Sequence, residues 1–283
     1  MSFVDRLKEC SVFDPAAYIP FLVDGRKVGL VRREFAALLA EFGDVFEVAS
    51  DAVRLAEGLA GAGARTRAVD QALRQLAARG VITGWRDEPY SVAPAPDEPA
   101  LFQMERAGIP KFGIWASGVH VNGFVRERGR LSMWIGRRSP DKHTAPNKLD
   151  QIVAGGRPAD LTVRETVLKE GEEEANIDGA LASRARPVGA ISYRTERREG
   201  LRRDVLYIFD LELPRDFVPV NHDGEIAEFQ LWPIRRVLET VRDTDKFKFN
   251  CSLVIIDFLI RHGLLDPDNE PDYLTLARGL RGP

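Results

Sequence analysis

Between Asp87 and Pro99 the chain places four prolines in thirteen residues. Each proline fixes φ, removes a backbone donor and biases its predecessor away from helix, so the stretch reads as an extended connection. The 283 residues are therefore expected to divide near residue 100, into a unit of residues 1–100 and a unit of residues 101–283. In the first, Tyr18 to Leu22 and Lys27 to Val31 flank an Asp24-Gly25 turn and read as a β-hairpin. Arg33 to Glu41 reads as a helix, as does Thr66 to Ala78, which stops at Arg79-Gly80. Val81 to Trp85 reads as a strand. In the second unit, Gly118 to Val125, Leu131 to Ile135, Val188 to Tyr193 and Asp204 to Leu213 read as strands. Asn250 is expected to cap a helix that turns Leu253, Ile256 and Ile260 inward and stops at Gly263. Strands with a few long helices indicate an α+β architecture.

Charge removes some functions. The chain has 40 Lys and Arg against 43 Asp and Glu; residues 1–100 hold 12 against 15 and the remainder 28 against 28. Neither unit carries the basic excess that neutralises a nucleic-acid backbone. Four scattered histidines and two distant cysteines, Cys10 and Cys251, do not make a tetrahedral zinc site or a disulfide framework. No apolar run approaches the roughly 18 residues of a membrane span, and no secretory leader opens the chain. A cytoplasmic protein that binds neither nucleic acid nor membrane is expected.

Residues 163–175 make the clearest helix, because Thr162 and Glu165 have capping-box spacing. On it, Glu170, Glu173 and Glu174 lie three and four apart and share a face. Three crowded carboxylates repel one another, and Lys169 cannot neutralise all of them. A hard divalent cation such as Mg²⁺ can, since it takes oxygen ligands and leaves positions for water and phosphate. Upstream, Gly155 and Gly156 let the backbone approach the same place without a Cβ.

At these residues the chain resembles the Nudix hydrolases, whose signature is a glycine, a spacer, and then Arg-Glu-apolar-x-Glu-Glu-x-Gly-apolar. Lys169 stands where the signature has arginine, Gly171 where it has an apolar residue, and Asn176 where it has the second glycine. The spacer from Gly156 is one residue short and lacks its early acidic residue, with Asp160 and Leu161 near that place. Asn176 tolerates the left-handed conformation that glycine would supply. Further strings resemble a subgroup of this family, the Nudix domain fused to fungal thiamine pyrophosphokinase and related plant enzymes. They include Phe21 to Gly25, Val28 to Val31, Gly118 to Gly123, Arg137 to Lys142, Pro146 to Asp150, Asp223 to Phe229, Phe247 to Asn250 and Asp257 to Gly263.

The resemblance implies a Nudix α/β/α sandwich with a mixed sheet, preceded by a small family-specific α+β domain. It implies Mg²⁺-dependent (or Mn²⁺-dependent) hydrolysis of a small-molecule diphosphate, with thiamine diphosphate or its oxidised and damaged derivatives giving the monophosphate and phosphate. Gly155, Glu170, Glu173 and Glu174 are the implied metal ligands. Glu225 is the chosen base, with Glu228 as the alternative. Arg138, Lys148 and Asp150 flank the glycine loop as diphosphate contacts. His120 and Asn122 share a strand face and line a base pocket or, on the simpler reading, sit satisfied in the core. Arg194, Arg197, Arg198, Arg202 and Arg203 either attract phosphate or form a solvated hairpin, and the hairpin is the simpler expectation. Rival readings are a nucleoside diphosphate sugar or dinucleotide pyrophosphatase and a ligand-sensing regulator. An isomerase would need a cysteine in the pocket, and Cys251 reads as core. A homodimer is compatible with all of these.

Overall fold

The computed structural model describes residues 2–282. Helix α1 (Phe3–Glu9) is opened by a capping box between Ser2 and Asp5. The hairpin follows as β1 (Tyr18–Val23) and β2 (Arg26–Arg32), turning at Asp24 and Gly25 with φ of 51° and 73°. Helix α2 (Arg33–Leu39) leads to β3 (Phe46–Val48) and β4 (Val53–Leu55). These complete a sheet of order β2-β1-β4-β3 in which β1 and β4 run parallel. Helix α3 (Gly61–Ala78) buries Val69, Ala72, Leu73 and Leu76, a single stripe at helical spacing. Its core partners include Phe21, Phe46 and Phe112.

Two expectations fail here for local reasons. Val81 to Trp85 forms no strand. Val81 N–H donates to the Leu76 carbonyl at 3.0 Å and Gly80 N–H to the Ala77 carbonyl at 2.9 Å, so Val81 is used to close α3. The proline-rich stretch is only partly a connection: β5 (Pro89–Val92) pairs antiparallel with β6 (Phe102–Glu105), and Pro94 to Pro99 lie in the loop between them. Pro89 is tolerated because it is the first residue of its strand.

The larger part is an α/β/α sandwich. Its strands are β7 (Trp115–Glu127), β8 (Arg130–Arg138), β9 (Leu149–Asp150), β10 (Val153–Gly156), β11 (Arg186–Arg197), β12 (Gly200–Glu212) and β13 (Ile226–Pro233). The sheet runs β11-β12-β7-β8-β13, with β10 on β7 and β9 on β8; β12 and β7 are parallel and the other pairs antiparallel. Helices α4 (Val163–Ala175) and α5 (Gly179–Ala182) cover one face. The other face carries α6 (Ile234–Asp243) and α7 (Phe249–Arg261), with α8 (Tyr273–Gly279) and α1 behind them. Alternation along β7 sorts the faces: Val119, Val121 and Val125 join the α4 core, and Phe124 joins the α7 core. Asn250 does not cap α7. It lies inside the helix, 3% exposed, and donates through Nδ2 to the Tyr193 hydroxyl at 3.2 Å.

Residues 109–114 join the two parts. Leu30 N–H donates to the Phe112 carbonyl and Leu201 N–H to the Pro110 carbonyl, both at 2.8 Å. The segment is thus pinned between β2 and the start of β12. A cavity of about 520 Å³ opens beside it, lined from both parts of the chain.

Candidate active site

One wall of the cavity is built by β10, its glycines and α4. The helix starts where the sequence places it, with Glu165 N–H donating to the Thr162 hydroxyl at 3.2 Å and Thr162 N–H to the Glu165 carboxylate at 2.8 Å. A box of this kind is worth about 1 kcal/mol. It ends where Asn176 takes the left-handed conformation at φ 53°. Between these ends, Glu170 and Glu174 turn inward and are 9% and 2% exposed. Ala154 N–H donates to the Glu174 carboxylate at 2.7 Å. Glu170 lies directly over Gly155, where a Cβ would collide with its carboxylate. Glu173 points further outward and meets Glu170 through Lys169, whose Nζ reaches the two carboxylates at 2.6 and 3.2 Å respectively.

Burial, and next the Glu170 charge, push the Glu174 carboxyl up to about 8. Burial also raises Glu170 above its ordinary value, against the pull of Lys169. In each case burial outweighs the nearby cation, Lys169 at Glu170 and Lys142 at Glu174. Hard oxygen donors, buried and crowded over a backbone without a side chain, fit a divalent cation. A second cluster, His120, Asp150 and Cys251, has ligand-type atoms within 4.8 Å of one another. Its carboxylate is already engaged: Arg138 donates to Asp150 at 2.8 Å, Lys248 lies 3.6 Å away, and the Cys251 thiol donates at 2.7 Å. Burial alone would raise Asp150, but Lys248 and Arg138 hold it far below the usual carboxylate range. The α4 face, with its excess of negative charge, is therefore the better cation site.

Residues 116–251 match the sequence profile of the NUDIX domain, and residues 2–116 match a domain of unknown function (DUF4743). Nudix hydrolase 24, chloroplastic, of Arabidopsis thaliana is 44% identical over 99% of this chain and 77% of its own length. Nudix hydrolase 20, chloroplastic, of the same plant is 43% identical over the same shares. The chain belongs to the Nudix hydrolase family. It acts on diphosphate linkages, and the family generally uses divalent metal ions. An uncharacterized protein of Saccharomyces cerevisiae is 32% identical over 94% of this chain and 83% of its own. The cytoplasmic expectation is corrected by the two plant relatives, both of which are named as chloroplastic. No helix among the described residues is long and apolar enough to cross a membrane.

In this Nudix enzyme the two base candidates separate cleanly. Asn221 Nδ2 and His222 N–H donate to the carbonyls of Glu174 and Glu173 at 3.2 and 3.1 Å, tying the loop before β13 to the end of α4. Asp223 accepts from Glu225 N–H at 2.7 Å, and the Glu225 carbonyl accepts from Ser139 N–H at 2.8 Å. Glu225 therefore lines the cavity, where it pairs with Lys142. Burial, and next Arg138, push the Lys142 ammonium down to about 8. Glu228 lies outside the cavity lining, beside Arg137 across the β13–β8 ladder, and pairs with it.

The other expected contacts divide as well. Arg138 reaches the cavity but is spent on Asp150 and on the carbonyls of Thr144 and Ala145. Asp150 is 1% exposed and acts through Arg138, Lys248 and Cys251, so the expected direct diphosphate contact is corrected to a supporting position. Lys148 lies outside the cavity lining and donates to Asp245 at 3.1 Å. His120 lines the cavity while bonded to Gln151 at 2.8 Å. Burial, and next Lys248, push it down to about 4, which keeps it neutral near pH 7. Asn122 shares its face but lies one pair further along β7, where it donates to Asp210 at 3.1 Å. It is 0% exposed and outside the cavity lining, so the substrate role expected for it is corrected to a core position.

The hairpin expected to be solvated is partly turned inward. Arg202 lines the cavity and donates to Asp204 at 2.9 Å, and Arg203 is 8% exposed and donates to the Gly113 carbonyl at 2.9 Å. Sequence reasoning missed Tyr90, Arg106 and Asp204 in the cavity wall. No local pattern marks them, because they meet only when residues 109–114 dock on β12.

Proposed function

We propose that the cavity holds a diphosphate substrate against Mg²⁺ (or Mn²⁺) bound by Glu170, Glu173, Glu174 and the Gly155 carbonyl, and that thiamine diphosphate or an oxidised or damaged derivative is the preferred substrate. The products are then the monophosphate and phosphate. The observation that carries this reading is the Glu170 carboxylate, set over a side-chain-free Gly155 on the same cavity as Glu225, with Glu174 buried four residues on along α4 and bonded to Ala154 N–H. When bound, a divalent cation neutralises phosphate oxygens and acidifies water.

The chain's own residues supply the remainder. Glu225 takes the proton from the attacking water, and its tie to Asp223 and Ser139 holds the carboxylate at the mouth of the α4 face. Lys142 beside it, pushed down to about 8, balances that carboxylate. Arg138 is held rigid by its three acceptors and presents fixed positive charge to the diphosphate. The cavity volume, about 520 Å³, suits a small molecule. The thiamine preference rests on the strings shared with the thiamine pyrophosphokinase-fused subgroup, and we place the boundary of the accessory unit near residue 100.

The test is diphosphate cleavage, read as free phosphate from thiamine diphosphate and its oxidised derivatives and as the two phosphomonoester products from nucleotide sugars and dinucleotides, with Mg²⁺ and with EDTA. Higher kcat/KM for the thiamine derivatives, abolished by EDTA, is expected. Preference for a nucleotide sugar or dinucleotide overturns the substrate assignment, and ligand binding without turnover anywhere in the panel favours a sensor.

A further inference from the structure

Arg106 follows β6 and belongs to the part of the chain that lies outside the match to the NUDIX profile. Its Nη1 donates to the Glu88 carboxylate at 2.7 Å, and its guanidinium carbon lies 5.7 Å from the Tyr90 ring centroid. These contacts fix the head group, yet 47% of the side chain stays exposed, against 23% for Glu88, and the residue lines the cavity. Among the described residues the Glu88 bond is the one hydrogen bond its side chain makes, whereas the Arg138 side chain divides its donors among Asp150, Thr144 and Ala145. A guanidinium carries five N–H donors in a fork that matches phosphate oxygens in pairs.

Its position is set by glycine. A Cβ added to Gly156 would collide with the Tyr90 hydroxyl and would stand 3.6 Å from the Arg106 guanidinium carbon. The preceding residue, Gly155, is the one covered by the Glu170 carboxylate. Consecutive glycines thus carry the acid of α4 and a cation from before the NUDIX match side by side. A bare backbone at Gly156 is required for the Tyr90 contact, just as a bare backbone at Gly155 is required for Glu170.

We propose that Arg106 is a substrate-binding residue, whose guanidinium grips diphosphate oxygens beside the Glu170 and Glu174 carboxylates, with Tyr90 as its positioning residue. Residues that precede the NUDIX match then complete the active site. The inference rests on the cavity being the substrate site. The phosphate groups bridge α4 and the segment before the NUDIX match, and the chemical class recognised by Arg106 is the diphosphate itself, not the group attached to it.

The experiment uses the full chain and imidodiphosphate, a diphosphate that resists hydrolysis, with affinity measured by calorimetry in Mg²⁺ and in EDTA. Arg106→Gln is expected to weaken binding at least about tenfold in both conditions, in line with loss of a charge-assisted pair. Arg106→Lys keeps the charge and loses the fork, so a loss of about threefold or more is expected even if Arg106→Gln does not fold. A Kd within twofold of the unaltered protein for either folded variant overturns the role of Arg106 while leaving the site intact. No imidodiphosphate binding by the unaltered protein overturns the site and this inference together.

Discussion

On the α4 side of the cavity, Glu170 and Glu174 come from a single helix and meet Gly155 and Ala154, fifteen and twenty residues earlier in the chain, whereas its cationic wall draws Arg106 and Tyr90 from before the NUDIX match, Arg202 from β12 and Lys248 from the start of α7. The acidic wall is short-range and is fixed by helix spacing. The cationic wall is long-range, gathering residues far apart in the chain around residues 109–114, which are pinned between β2 and β12. Negative charge concentrated on one side calls for a bound cation, and positive charge on the other calls for an anion. Together they describe a metal-bound diphosphate. Damage to either wall should therefore produce different losses: metal dependence on one side, substrate affinity on the other.

The largest loss is expected from the acidic wall. Glu170→Gln should lower phosphate release on the order of 10³-fold and raise the Mg²⁺ concentration needed for half activity, because charge at the reacting phosphates goes uncompensated. Steady-state rates across a Mg²⁺ titration check this, and an unshifted titration would break the contrast between the walls. Next in size, Glu225→Gln should cost about 10²–10⁴-fold in kcat. Glu228→Gln, at a residue paired with Arg137 outside the cavity lining, should stay within about twofold. A reversal of that order in the measured kcat values would move the base three residues along the chain.

Gly156→Ala tests the seam where the walls meet. Its Cβ displaces Tyr90, so KM should rise on the order of tenfold, the scale of one charge-assisted contact, with the Mg²⁺ titration kept. Loss of Mg²⁺ dependence with KM unchanged would mean that the seam serves the acidic wall instead. The smallest effect concerns stability. Burial and Lys248 hold folded His120 near pKa 4, below the ordinary histidine value of 6.5. The unfolded chain therefore binds the extra proton between those values, and the neutral imidazole's stabilising contribution is full above pH 6.5 and lost as pH falls through 4. Denaturant unfolding from pH 7 to 4 should show a loss that His120→Gln flattens; an equal slope in both proteins would place the titration elsewhere.

What the sequence disclosed follows the same division. The bounds of α4, its capping box, the left-handed Asn176 and the three glutamates were legible because each depends on residues within four positions. Period two correctly placed His120 and Asn122 on one face but gave no depth along the strand. β7 runs beyond the cavity, and Asn122 ends beside Asp210. Asn250 was misread as a cap because its side chain bonds a distant hydroxyl on Tyr193. Arg202 was expected in solvent because hairpin composition cannot show that β12 docks on the segment containing Pro110. Arg106 and Tyr90 had no local signal at all; only the close approach at Gly156 identifies their place.

Metal-dependent diphosphate cleavage by Glu174→Gln decides whether the acidic wall holds the cation. Glu174 is 2% exposed and accepts from Ala154 N–H, so its neutral isostere preserves shape while removing charge. With the diphosphate substrate that the unaltered protein turns over fastest, a folded variant with on the order of 10³-fold less Mg²⁺-dependent cleavage is expected. Undiminished cleavage with an unchanged Mg²⁺ requirement would take Glu174 out of the metal site.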